Sequence, residues 1–147
     1  MKPKPERSKL PSEPNKILAL RYFEKYSTGD AEALMEFIGP EYVLHPQGGL
    51  DDMDAEERKR DEIVFFSAFS DVEAVVEDQI AEGEKVANRI TMYCTHNGRY
   101  QSVPATGKRV TIPYIDILRI KAGKIIEEWV EFDVNSIVQQ IKTDNAP

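Results

Sequence analysis

The chain has 147 residues, with 19 Lys plus Arg and 26 Asp plus Glu, a formal charge of −7. That length fits one domain, and the acidic balance argues against a nucleic-acid platform and against an electrostatic membrane anchor. A single cysteine, Cys94, excludes an internal disulfide framework. Two histidines, His45 and His96, exclude a three-histidine metal site within one chain, and no apolar run approaches the roughly 18–20 residues of a membrane span.

Residues 1–14 carry Pro3, Pro5, Pro11 and Pro14 and several basic side chains, without the apolar stretch of a secretory signal. They read as a mobile tail on a cytoplasmic protein, and the domain is expected over 15–142 with a second tail at 143–147. Ala19, Tyr22, Phe23 and Tyr26 recur at one-face helical spacing, and Gly29 ends that helix. Asp30 is placed to cap a short second helix with Ala33, Leu34, Phe37 and Ile38, stopped by Gly39-Pro40. Tyr42, Val43 and Leu44 form a short strand leading to His45. Residues 47–54 read as a loop. Asp54 and Glu57 have capping-box spacing for a third helix that runs to about Phe69, with Ile63, Phe66, Ala68 and Phe69 inward and the charged run 56–62 outward.

Period two then replaces period 3.6. Alternation over 72–80, then long β-branched and aromatic runs at 86–95, 110–120 and 124–132, predict a strand meander, followed by a helix over 136–142. Helices first and strands second is the pattern of an α+β domain. A curved antiparallel sheet folded on helices can enclose a cavity, and polar side chains pointing into it would carry the chemistry.

The connection Lys121-Ala122-Gly123-Lys124 sets which side chains those are. A two-residue turn places Ala122 at positive φ, so a three-residue loop with a bulge at Gly123 is expected. Arg119, Ile117, Ile115, Trp129, Glu131 and Asp133 then share one face, and Val130, Phe132, Leu118 and Asp116 the other. The first group reads either as a solvent-facing edge with a salt bridge or as a pocket wall. A carboxylate beside an indole in an apolar pocket would have a raised pKa suited to acid–base work, and an arginine could hold an enolate. His96 is a surface-turn residue or is re-aimed by a bulge at Gly98. His45 is a strand-end residue or sits at the pocket mouth. N-capping and solvation explain Asp51, Asp52 and Asp54 better than metal binding, and Cys94 reads as a small core residue.

The blocks Thr95-His96-Asn97-Gly98, Val103-Pro104-Ala105-Thr106-Gly107-Lys108, Asp116-Ile117-Leu118-Arg119 and Gly123-Lys124-Ile125-Ile126-Glu127-Glu128-Trp129, followed by Asp133, resemble the SnoaL-like polyketide cyclases of the nuclear-transport-factor-2-like superfamily. The resemblance spans about 15–141. It implies a cone of curved antiparallel sheet closed by about three N-terminal helices around a deep apolar pocket. It also implies a cofactor-independent enzyme, without metal, in which Asp133 is the general acid/base that removes a proton α to a carbonyl for aldol cyclisation or isomerisation.

Under this reading Arg119 and His96 stabilise the enolate. Trp129, Glu131, His45, Tyr42 and Tyr22 contact an apolar polyketide-like or cyclic ketone or ester substrate. Some true cyclases carry His at the position matching Arg119, and arginine cannot shuttle a proton there. Two other readings stand beside it: a non-catalytic ligand-binding dimeric module, and an epoxide hydrolase in which Asp133, Glu131 and Arg119 activate water. A homodimer is expected, paired through an outer sheet face bearing Val130 and Phe132.

Overall fold

The computed structural model describes residues 12–142. The tails expected over 1–11 and 143–147 lie outside the described residues. Ser12, Glu13 and Pro14 belong instead to the first helix, α1 (Ser12–Tyr26). Then follow α2 (Ala31–Leu34), β1 (Ile38–His45), α3 (Ala55–Ala68), β2 (Phe69–Glu82), β3 (Lys85–His96), β4 (Arg109–Lys121), β5 (Lys124–Glu131) and α4 (Val134–Lys142). The strands form one sheet in the order β1-β5-β4-β3-β2. This is the expected α+β architecture, with a fourth helix at the C-terminal end.

Local sequence explains the helix starts. The Asp30 side chain accepts from the Ala33 amide, and that of Asp54 accepts from the Glu57 amide. These bonds satisfy amides that the first helical turn leaves unpaired. Ala19, Tyr22, Phe23 and Tyr26 are all buried, as their spacing predicts, and α1 lies against β2 and β3. Ser27 fastens the end of α1 to the sheet, its hydroxyl accepting from the Ala74 amide at 3.0 Å. β5 stops opposite Ile115, so β4 outruns it. There the Gln140 side chain of α4 replaces a strand partner, accepting from the Thr111 amide at 2.9 Å and donating to its carbonyl at 2.8 Å.

Four expectations are corrected. The second helix does not reach Gly39-Pro40. A short 3-10 turn over Met35–Phe37 intervenes, and β1 already begins at Ile38. Proline is tolerated there because β1 is an edge strand with irregular register between Ile38 and Val43. Second, β1 runs parallel to β5, so the sheet is mixed, with β2 to β5 antiparallel.

Third, the β4–β5 turn is the two-residue form, with Ala122 at φ 52° and Gly123 at φ 74°. Lys121 pairs with Lys124 and Ile120 with Ile125, but Arg119 pairs with Glu127. The extra residue, Ile126, sits as a bulge inside the strand rather than in the loop. It restores the parity that the two-residue turn would have inverted, so the two groups of face-sharing residues are those expected.

The fourth correction concerns which group points inward. Asp116, Leu118 and Glu128 are buried, and Val130 and Phe132 line the internal cavity rather than an outer face. The outer face carries Ile115, Ile117, Arg119, Trp129 and Glu131.

Gly98 owes its identity to space. Its amide and that of Asn97 both donate to the Ala68 carbonyl, and a Cβ on Gly98 would stand 2.2 Å from the Ser67 carbonyl oxygen. Gly98→Ala is expected to destabilise the protein by about 1–3 kcal/mol, because backbone must move to admit the methyl. Denaturant unfolding measures this, and an unchanged midpoint would contradict it.

Candidate functional site

A cavity of about 150 Å³ lies between the sheet and the helices. Its apolar wall includes Phe23 from α1, Phe65 from α3, Met92 from β3, Ile112 from β4 and Val130 from β5. The loop after β1 adds Pro46, Gln47, Leu50 and Met53. That loop is tied back by paired backbone bonds between Leu44 and Met53, at 2.8 and 3.0 Å. Into this shell α3 projects Arg58 and Glu62, both buried. They sit four residues apart, hence on one helix face. The charged run expected to cover the outer side of α3 therefore turns two of its members inward, while Ile63 and Val64 are exposed.

Arg58 is the hub of the polar interior. Its Nη1 pairs with Glu62 Oε1, its Nη2 donates to the Tyr22 hydroxyl at 2.9 Å, and its Nε donates to the Tyr42 hydroxyl at 3.2 Å. Nε also lies 3.8 Å from Glu128 Oε1. Tyr42 donates to Glu128 at 2.6 Å, and Tyr26 donates to Glu62 at 2.6 Å. Burial pushes the phenols of Tyr22, Tyr26, Tyr42 and Tyr114 up, so they remain proton donors.

Asp116 adjoins this network beside Glu128. It is 1% exposed and lines the cavity, no fixed donor of the protein is aimed at its carboxyl oxygens, and its neighbours are the Glu128 carboxyl and the Asn88 side chain. Burial, and then the neighbouring Glu128 carboxylate, hold its pKa well above the ordinary aspartate range. Asn88 lies across from it on β3, with its side-chain oxygen already accepting from Gln79 at 2.9 Å. Two buried carboxyls side by side do not both ionise readily, and such a pair in a cavity wall is a candidate for acid–base chemistry.

The residues singled out from the sequence divide into four places. Tyr22 lines the cavity, and Tyr42 supports it from behind through Glu128 and Arg58. Asp133 is exposed and caps α4, its Oδ1 accepting from the amides of Asn135 at 2.9 Å and Ser136 at 3.3 Å. Glu131 is exposed on the outer face. His96 is buried but does not line the cavity. Its Nδ1 accepts from the Thr106 amide at 3.3 Å, its Nε2 is unpartnered, and burial lowers its pKa.

Arg119, Trp129 and His45 do meet, on the outer face. Arg119 donates to Glu127 at 2.9 Å, His45 bridges Glu127 at 2.7 Å and Asp52 at 2.9 Å, and the imidazole stacks on Trp129 at 5.2 Å. The hydrogen bond to Glu127 raises the His45 pKa, partial burial opposes this, and Asp52 adds to it. Asp133, Glu131 and Arg119 do not converge on one point, so the water-activating trio expected for epoxide hydrolysis is not assembled. Among the described residues no group of three or more His, Cys, Asp or Glu could hold a metal ion, and no helix is long and apolar enough to cross a membrane.

Sequence reasoning missed Arg58, Glu62, Asp116, Tyr114 and Glu128 as site residues. For Asp116 and Tyr114 a signal existed. Val110, Ile112, Tyr114, Asp116, Leu118 and Ile120 form the more apolar of the two alternating sets of β4, and Asp116 is its one charge.

Because its folded pKa is raised, the stability that Asp116 contributes is complete below the unfolded value of about 3.9 and is lost as pH rises through the folded value. Asp116→Asn, neutral at every pH, escapes that loss. Its melting temperature is expected to gain on the parent's as pH rises from 4 to 8. A gap that stays constant or shrinks would contradict the assignment.

Comparison with known proteins places this geometry. Residues 16–141 match the family described as SnoaL-like polyketide cyclase. The aklanonic acid methyl ester cyclase DnrD of Streptomyces peucetius is 31% identical over 122 residues, covering 78% of this chain and 83% of that protein. Among solved structures, AclR of Streptomyces galilaeus, a proposed hydroxylase, superposes with a TM-score of 0.80 at 25% identity, over 90% of this chain and 83% of its own. IdmH of Streptomyces antibioticus, a proposed polyketide cyclase, gives 0.77 at 27% identity, over 88% and 99%.

Proposed function

The chain belongs to the SnoaL-like polyketide cyclase family, and from that premise we propose that it closes a ring in a polyketide-like ester with Asp116 as general acid/base. The observation that carries this reading is the buried carboxyl of Asp116 in the cavity wall, set beside that of Glu128 with no fixed donor aimed at it. In its ionised form Asp116 takes a proton from the carbon next to a carbonyl, and the C–H electron pair moves to the carbonyl oxygen to give an enolate. The enolate carbon attacks a second carbonyl of the same molecule, forming the ring bond, and the new alkoxide takes the proton back from Asp116. A carboxyl raised toward working pH suits both transfers. The apolar shell excludes water and holds the chain folded on itself.

The name of the Streptomyces peucetius relative suggests a methyl ester as the substrate class. The charges agree: among the described residues Arg58 is the one basic side chain lining the cavity, against Asp61, Glu62, Asp116 and Glu128. A free carboxylate would meet repulsion there, and a neutral ester would not.

Turnover of a panel of polyketide methyl esters, including aklanonic acid methyl ester, tests the reading. Asp116→Asn is expected to lower kcat by about 10²–10⁴-fold. Asp133→Ala is expected to cost about 1 kcal/mol of stability through the lost helix cap and to leave most of the turnover. Retained turnover in the first variant with loss in the second would return the acid/base role to Asp133.

A further inference from the structure

Proton abstraction by Asp116 leaves negative charge on a carbonyl oxygen, and that oxygen needs donors. Arg58 is the obvious candidate, but three of its five N–H groups are committed. Its three nitrogens engage Glu62, Tyr22 and Tyr42, with Glu128 beside them. Arg119 and His96 lie outside the cavity. The other side-chain donors in the wall are the Gln47 amide and the phenols, and the partners of the phenols sort them. Tyr26 and Tyr42 have given their hydrogens to Glu62 and Glu128. Tyr22 accepts from Arg58, and its own hydrogen is committed to no acceptor among the described residues. The Tyr114 hydroxyl neither donates nor accepts among them. Both Tyr22 and Tyr114 line the cavity. Tyr114 stands two residues before Asp116 on the same face of β4, about 7 Å along the strand. Neighbours on one strand face can address adjacent atoms of one substrate, the carbonyl oxygen by Tyr114 and the acidic α-carbon by Asp116.

We infer that Tyr114, with Tyr22 as second donor, forms an oxyanion pocket, so that the enolate of the substrate is held by phenolic hydrogens. The inference rests on the reading of Asp116 as the base. Charge bookkeeping supports it. Proton transfer moves one negative charge from Asp116 to the substrate oxygen and leaves the charge of the cavity unchanged. No countercharge is therefore required, only donors aimed at the new position of the charge. Arg58 reinforces Tyr22 indirectly, since a hydroxyl that accepts from a guanidinium becomes a better donor. The buried phenols keep their protons through the working pH range.

Two measurements test this on the full chain. Tyr114→Phe keeps the ring and removes the donor. It is expected to lower kcat by about 10²–10³-fold with little change in KM. The second readout is independent of turnover. Asp116→Asn is titrated with 4-nitrophenol, whose phenolate absorbs apart from the neutral form, and with 4-nitroanisole as an uncharged comparison. Bound nitrophenol is expected to ionise at lower pH than free nitrophenol. Adding Tyr114→Phe is expected to weaken phenolate binding at least tenfold and to leave nitroanisole binding unchanged. Equal phenolate affinity with and without the Tyr114 hydroxyl overturns the oxyanion pocket, as does a failure of Asp116→Asn to bind phenolate at all. Full turnover by Asp116→Asn overturns the base assignment instead, so the two failures are separable.

Discussion

A single buried guanidinium organises the interior of this protein. Left alone in such surroundings, a charge would cost several kcal/mol, so it persists only where partners surround it. Arg58 draws those partners from several elements: Glu62 beside it on α3, Tyr22 on α1, Tyr42 on β1 and Glu128 on β5. The helices and the sheet are thus registered to one another by a polar centre as well as by apolar packing. The same centre consumes nearly all the hydrogen-bonding capacity it attracts.

Asp116 and Tyr114 matter because of where they sit. Both are on the strand that faces this centre, Asp116 beside Glu128 and Tyr114 with a hydroxyl bonded to none of it. In a core where Arg58, Glu62, Glu128, Tyr26 and Tyr42 satisfy one another, the Asp116 carboxyl has no fixed donor aimed at it and the half-buried Tyr114 hydroxyl faces the cavity. A substrate that offers an acidic carbon and a carbonyl oxygen would complete both. The cost is stability, because the Asp116 carboxyl must be carried into the interior uncompensated. Family membership and geometry meet at this point: a chain of the SnoaL-like polyketide cyclase family has an internal, largely apolar cavity with the buried carboxyl of Asp116 in its wall.

Much of this architecture could be read from residue order. The apolar face of α1, the caps at Asp30 and Asp54, and the switch from helical to alternating periodicity near Phe69 are local features, and local features are written in local sequence. The parallel pairing of β1 with β5 is a long-range contact with no local signature. The β4–β5 turn was misjudged because the aversion of alanine to positive φ is a weak penalty, and Ala122 accepts it where the strand absorbs the extra residue at Ile126. The face read from the sequence as a pocket wall is the one turned away from the cavity. Trp129, Glu131 and Asp133 look like a pocket wall, but Glu131 faces outward and Asp133 caps a helix. The deciding clue was a lone charge, Asp116, in an otherwise uncharged inward set. Arg58 and Glu62 were hidden differently: within a charged helical run, nothing local distinguishes the two that turn inward.

The most direct test of the account is the titration of Asp116 itself, followed by the carbon-13 resonance of its carboxyl carbon and assigned by its loss in Asp116→Asn. The account predicts a midpoint well above the ordinary aspartate value of about 3.9, moving lower when Glu128 is replaced by Gln. A midpoint at or below the ordinary value would mean that the carboxyl is solvated or paired in solution, and would contradict its role as the poised acid/base of the cavity.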